Sequence, residues 1–118
     1  MLRHIDWINP KDAAARGISD ADVVRVFNDR GQILAGAKVT EAMRPGMIRV
    51  NEGGWYDPLE PGKPGTLCKY GDVNNLSMDI GTSKLGQCNC GHSIVGEVEK
   101  YTGPAVTVDV FTAPKSAV

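Results

Sequence analysis

Asp22-Val23-Val24-Arg25-Val26-Phe27-Asn28-Asp29-Arg30-Gly31-Gln32-Ile33-Leu34-Ala35-Gly36-Ala37-Lys38-Val39 is the stretch on which the architecture turns. Two runs rich in β-branched residues, 22–28 and 32–39, flank the Asp29-Arg30-Gly31 corner, which predicts an antiparallel hairpin. A further strand is expected at 47–50, after the Arg44-Pro45-Gly46 turn, and two more at 94–99 and 106–111, where apolar and polar residues alternate. One helix is expected at 10–16: Asn9 is a capping residue, Pro10 suits the first helical position, alanines follow, and Arg16-Gly17 close it. Short strands, one short helix and glycine-rich corners imply a mainly β fold. A small closed or nearly closed barrel is the expected form, because closure removes the unpaired edges of an open sheet.

The chain has 118 residues, 42% hydrophobic and 23% charged, which suits one folded domain and argues against wholesale disorder. Thirteen Lys and Arg against fourteen Asp and Glu leave a net charge of −1, so neither nucleic acid nor an anionic membrane is the partner to expect. Any anion must be held locally. No run approaches the ~18–20 apolar residues of a membrane span, and residues 1–7 lack a hydrophobic run of signal-peptide length. The cysteines, Cys68, Cys88 and Cys90, have neither the number of a disulfide scaffold nor four-thiolate zinc spacing. The tail from 112 to 118 is small and polar and is expected to fray.

Chemistry-bearing residues are sparse. The sequence contains no Gly-x-Ser-x-Gly, no Walker loop, no Gly-x-Gly-x-x-Gly and no His-Glu-x-x-His, so no catalytic residue is assigned. His4 and His92 have no orienting partner in sight, and a loop histidine is the simpler reading of His92. In an extended segment Cys88, Cys90 and His92 would point to one side and offer three metal ligands, but a fourth is missing and buried cysteine is common, so no metal site is assigned. The segment 52–66, crowded with Gly and Pro, is expected to be a long ordered or lid-like loop. Its Trp55 and Tyr56 either stack on a ligand ring or pin the loop to the barrel, and pinning is the expected role because buried aromatics anchor. Residues 69–89 are dense in Asn, Gln, Ser and Gly. Their amides match the mixed donor and acceptor edge of a pterin or guanine, and glycine lets backbone N–H groups approach an anion, although Asn and Gly also build ordinary turns.

Four segments carry a resemblance: 8–18 (Ile-Asn-Pro-Lys-Asp-Ala-Ala-Ala-Arg-Gly-Ile), 22–31, 52–58 (Glu-Gly-Gly-Trp-Tyr-Asp-Pro) and 69–74 (Lys-Tyr-Gly-Asp-Val-Asn). In this order and spacing they resemble the C-terminal molybdopterin-dinucleotide-binding domain of the dimethyl sulfoxide reductase family. The likeness runs from about residue 8 to 111 and is to the trimethylamine N-oxide reductases first, with biotin sulfoxide reductase next. It implies a double-psi β-barrel with one or two short helices that covers part of a bis(molybdopterin guanine dinucleotide) cofactor shared with the other domains of a larger reductase. The parent reaction it implies is a two-electron oxygen-atom transfer from an N-oxide or S-oxide. The 118 residues are then expected to be that domain alone, inactive in isolation, with the remaining reductase domains as partner and a periplasmic parent.

Position by position, the family's Val-Asn-x-Leu-Thr/Ser turn falls on residues 73–77, which makes Asn74 the leading cofactor contact. Its Gly-Thr-Ser-Lys-Leu-Ala-Gln-Gly-Asn segment falls on 81–89, carrying over Ser83, Lys84 and Gln87, with Gly86 and Cys88 where the family has Ala and Gly. Tyr70, in the preceding motif, completes the implied set with Gly86. A competing class is a free-standing β-barrel used as an interaction or cofactor-handling module, since fold does not fix function. A pyruvoyl-type decarboxylase of the same barrel class would need a Gly-Ser bond for self-cleavage, and the sequence has none.

Overall fold

The computed structural model describes residues 3–88 and 93–113. The chain is mostly β. Among the described residues the strands are β1 (Ile5–Ile8), β2 (Val23–Phe27), β3 (Gln32–Val39), β4 (Ile48–Val50), β5 (Leu67–Cys68) and β6 (Glu97–Lys100), with one α-helix, α1 (Pro10–Ala15), between β1 and β2. They form one mixed sheet in the order β4-β1-β3-β2-β6, with β5 also on β3, curled into a half-barrel.

The expected hairpin is present. β2 and β3 pair antiparallel from Val23 opposite Gly36 to Phe27 opposite Gln32, and the Asn28 side chain closes the corner by accepting from the N–H groups of Arg30 and Gly31 at 2.9 and 3.2 Å. β3 is the centre of the sheet. Its other edge is divided between two parallel partners, β5 against Gln32 and Ile33 and β1 against Gly36 to Val39. Gly71, at φ 82°, a left-handed conformation that favours glycine, lies beside the intervening Leu34 carbonyl and packs closely against the His4 Cβ. Ile33, Leu34 and Ala35 are fully buried, as expected of a strand covered on both faces. Ile33 and Ala35 share one core cluster with, among others, Ile8, Val24, Val26, Cys68, Leu76 and Val98.

The helix forms where its end signals place it. The Asn9 carboxamide accepts from Lys11 N at 2.8 Å, Pro10 takes the first position, and Gly17 reverses the chain at φ 65°. Ala13 and Ile18 seat this corner in the core.

Three expectations change. First, 106–111 is not a strand. Its alternation is real, with Val106, Val108 and Val110 half-buried and the residues between them exposed, but the backbone partners are side chains rather than a neighbouring strand. Arg3 donates to Val106 O at 2.7 Å, and the Asp57 carboxylate accepts from the N–H groups of Asp109 and Val110 at 2.8 and 3.2 Å. Second, the strand expected at 94–99 is narrower and later, at Glu97–Lys100. Third, β1 and β5 were not anticipated. β5 has two residues, and β1 inverts the usual pattern by burying Asp6 and Ile8 while Ile5 is exposed. Trp7 lies on the outer face between Lys38 of β3 and Arg49 of β4, whose cationic groups stand 4.8 and 4.7 Å from its ring centroid. Of the expected frayed tail, 114–118 lies outside the described residues, and Thr112 belongs to a turn, its N–H donating to Asp109 O at 2.9 Å.

Asp6 is 4% exposed, and neither carboxylate oxygen has a hydrogen-bond partner among the described residues. Burial pushes its pKa up to about 7. The folded state therefore keeps a proton that an unfolded Asp, at ~3.9, gives up. Burial of Asp6 costs little below about pH 4, and its cost rises to about 4 kcal/mol above about pH 7. His4, whose pKa burial lowers, contributes the opposite slope. The stability difference between Asp6→Asn and the parent chain, read by urea unfolding, should shift in favour of the variant by roughly 2–4 kcal/mol from pH 5 to pH 8. A difference that stays constant would mean that the carboxylate has a compensating partner.

Candidate functional site

The turn that carries Asn74 is built by close backbone approaches. Gly54 lies against the Gly71 carbonyl, and Gly31 against the Asn75 carbonyl, each so tightly that a Cβ would collide. These contacts press the 52–57 loop and the β2–β3 corner onto a 3-10 turn at Val73–Asn75. Asp72 caps that turn, its carboxylate accepting from Asn74 N at 3.0 Å. Leu76, 2% exposed, plugs it into the core, and the Leu76 carbonyl accepts from Asn28 Nδ2 at 2.9 Å and Arg30 Nε at 2.8 Å. Asn74 is thus held by its backbone while its side chain is exposed, and among the described residues no hydrogen bond engages its carboxamide.

Asn74 opens onto a polar recess of about 310 Å³, lined among others by Arg30, Tyr56, Lys63, Asn74, Asn75 and Ser77. That volume is at the lower end of the ~300–1,000 Å³ of ligand pockets, room for one end of a dinucleotide. Two carboxamides, the Tyr56 and Ser77 hydroxyls and two cations make a donor-rich wall suited to a heterocycle edge beside an anion. Two larger hollows, of about 840 and 630 Å³, are lined mainly by apolar side chains, and neither includes an expected site residue.

The far wall comes from the glycine- and proline-rich loop, which is ordered. Leu59 N donates to Leu67 O and Lys69 N to Asp57 O, both at 2.8 Å, and Glu60 N donates to Thr66 Oγ1 at 2.9 Å. Trp55 and Tyr56 do not pin it; they are 65% and 53% exposed, which corrects the expected role. The anchor is Asp57, buried against the Lys69 ammonium at 3.5 Å, with Asp109 closing on the same ammonium. Burial works against the Lys69 charge, but the two carboxylates outweigh it and raise its pKa above the ordinary value.

The other expected residues lie in two further places. Ser83, Lys84, Gly86 and Gln87 share one exposed turn that bonds to itself: Ser83 Oγ accepts from Gly86 N at 2.8 Å, and Gln87 Nε2 donates to Ser83 O at 2.7 Å and Lys84 O at 3.3 Å. Gln87 takes the left-handed conformation at φ 48°, so the turn's backbone reversal falls on it and not on Cys88 at the family's glycine position. Tyr70 packs edge-on to His4 and Phe111, with ring centroids 5.9 and 5.1 Å away. None of these five residues lines the recess of Asn74. Cys90 and His92 lie outside the described residues, so the three-ligand metal reading does too, while Cys88 is exposed with Sγ 3.5 Å from Gly86 O. Arg30 and Lys63 were missed as recess residues, and Tyr56, weighed as a ring-stacking residue and expected instead to pin the loop, lines the recess. Arg30 was legible as a cation in a tight corner, but its meeting with Asn74 depends on chain segments far apart in sequence.

A profile of the family described as "Molydopterin dinucleotide binding domain" matches residues 3–95. The chain is 68% identical over 110 residues to the dimethyl sulfoxide/trimethylamine N-oxide reductase of Cereibacter sphaeroides, covering 93% of this chain and 13% of that protein. It is 54% identical over 108 residues to the trimethylamine-N-oxide reductase of Salmonella typhimurium, covering 92% and 13%. With trimethylamine-N-oxide reductase 1 of Escherichia coli it shares 58% identity over 97 residues, covering 82% and 11%. The chain spans about an eighth of the length of these curated relatives.

Gly31→Ala should displace the 73–75 turn and cost roughly 1–3 kcal/mol, because the added Cβ meets backbone and not a movable side chain. Amide chemical shifts at 73–77 and urea unfolding would register it. Unchanged shifts there would show that the corner and the turn are independent.

Proposed function

Because this chain belongs to the Molydopterin dinucleotide binding domain family, we propose that it is the C-terminal domain of a molybdenum-dependent N-oxide or S-oxide reductase and holds one flank of its molybdopterin guanine dinucleotide cofactor. The proposed partners are the remaining domains of that reductase. A periplasmic location is part of the same proposal and rests on the family resemblance alone.

The observation that carries the reading is the recess at Asn74: an exposed carboxamide on a turn immobilised by a cap, a core plug and two glycine contacts. Preorganisation of this kind lowers the ordering cost of binding. A guanine presents adjacent donors and acceptors, and a carboxamide answers both. When bound, the cofactor supplies the two-electron oxygen-atom chemistry; the protein supplies binding and orientation. Ser83, Lys84, Gly86 and Gln87 are proposed as a second contact on the exposed turn. There the Gln87 amide, now folded onto Ser83 and Lys84, would exchange its internal bonds for ligand bonds.

Titration of the isotopically labelled chain with GMP, followed by amide chemical shifts, tests this. Shifts should concentrate at 70–77 and 83–88, with an affinity of about millimolar, since the missing domains supply much of the pocket. Asn74→Ala should weaken binding about tenfold, the loss expected for one or two well-made hydrogen bonds. Shifts seated instead around His4 and 104–113, or an Asn74→Ala chain that binds as before, would overturn the assignment.

A further inference from the structure

We propose that Arg30, backed by Lys63, makes the recess beside Asn74 a phosphate-reading subsite, so that the domain selects its ligand's nucleotide end by charge as well as by base. The inference rests on the reading of Asn74 as a base contact and adds to it the group that recognises the anion.

With a net charge of −1 the chain has no general field to draw in an anion, so attraction must come from locally placed cations. The recess has two, on different walls: Arg30 from the β2–β3 corner and Lys63 from the glycine- and proline-rich loop. Arg30 is the better placed. Its Nε is committed to Leu76 O at 2.8 Å, which orients the guanidinium from the same residue that plugs the Asn74 turn. Among the described residues its two terminal amino groups make no hydrogen bond, so the two-pronged edge that suits phosphate oxygens is unspent. Lys63 is held by the Glu60 carboxylate at 3.1 and 3.2 Å in an exposed pair, so it contributes a partly neutralised charge. The other carboxylates of these elements are Asp29, exposed beside Arg30, Glu52, exposed at the start of the loop, Asp57, buried against Lys69, and Asp72, engaged in capping the turn.

Neighbouring neutral groups suit the rest of the same ligand. Asn74, Asn75 and Ser77 offer donors and acceptors, and the recess is too small for a folded segment of another protein. A nucleoside phosphate, with base and anion a few ångströms apart, satisfies both halves. A carboxylate-bearing peptide would satisfy only the charge.

The test is a set of amide-shift titrations of the 118-residue chain with guanosine, GMP, inorganic pyrophosphate and an acidic peptide. It compares the parent chain with Arg30→Gln, Arg30→Lys and Lys63→Gln. The parent chain should bind GMP about tenfold more tightly than guanosine, a preference that falls as salt rises. Arg30→Gln should abolish most of that preference and leave guanosine binding intact. Arg30→Lys should restore part of it, and Lys63→Gln should reduce it less. Pyrophosphate should shift Gly31 and Asn74 in the parent chain and not in Arg30→Gln. A GMP preference that survives Arg30→Gln overturns the inference, as does an acidic peptide that competes as well as pyrophosphate. Guanosine and GMP bound equally at 73–77 would overturn the charge subsite and leave the base contact standing. Pyrophosphate binding at Gly31 with no guanosine binding would uphold the subsite and sink the base contact.

Discussion

The central constraint in this chain is the double use of one edge of β3. Along its eight residues the strand meets β2 on one side, and on the other it meets first β5 and then β1, both parallel to it. Full burial of Ile33, Leu34 and Ala35 follows, and beside the gap between the two parallel partners the chain turns at Gly71 with φ 82°, a conformation that favours glycine. The site inherits its geometry from this arrangement. The corner that begins β3 carries Arg30 and Gly31, the segment after β5 carries Asp72 and Asn74, and the pairing of β5 with β3 brings them together.

Much of the sheet was legible. The β2–β3 hairpin, β4 and the helix have local signals that agree with their tertiary setting: β-branched runs around a glycine corner, and an Asn-Pro start with a glycine stop. What escaped were elements whose pattern is set from outside. β1 buries a carboxylate and leaves a tryptophan half-buried on the other face, a reversal explained by the cover of Lys38 and Arg49 on the adjacent strands. The 106–111 segment alternates as a strand would, because alternate burial needs only a surface to lie on. Its hydrogen bonds go to Arg3 and Asp57, which no periodicity can announce.

The candidate site was legible by residue type and not by arrangement. Amide-rich composition and the family likeness pointed to Asn74 and to 83–87, and the fold separates these into a walled recess and an exposed, self-bonded turn. The aromatic pair at 55–56 was expected inside and lies outside, because the buried ion pair of Asp57 with Lys69 already fastens the loop. A buried pair contributes little net stability once desolvation is counted, yet it sets where the loop must run, and the recess wall depends on that path.

The two parallel pairings of β3 also bear on how the chain reaches its fold. Each joins segments about thirty residues apart, Ile5 with Gly36 and Gln32 with Leu67, and neither can be made by a tight turn. Closing such loops costs entropy before any contact repays it, which sets the chain among high-contact-order folds that acquire structure in milliseconds to seconds. The hairpin, being local, is free to form early and wait. Until both long loops close around it, Arg30 and Asn74 remain strangers, so the recess they share is among the last features the polypeptide gains as it folds.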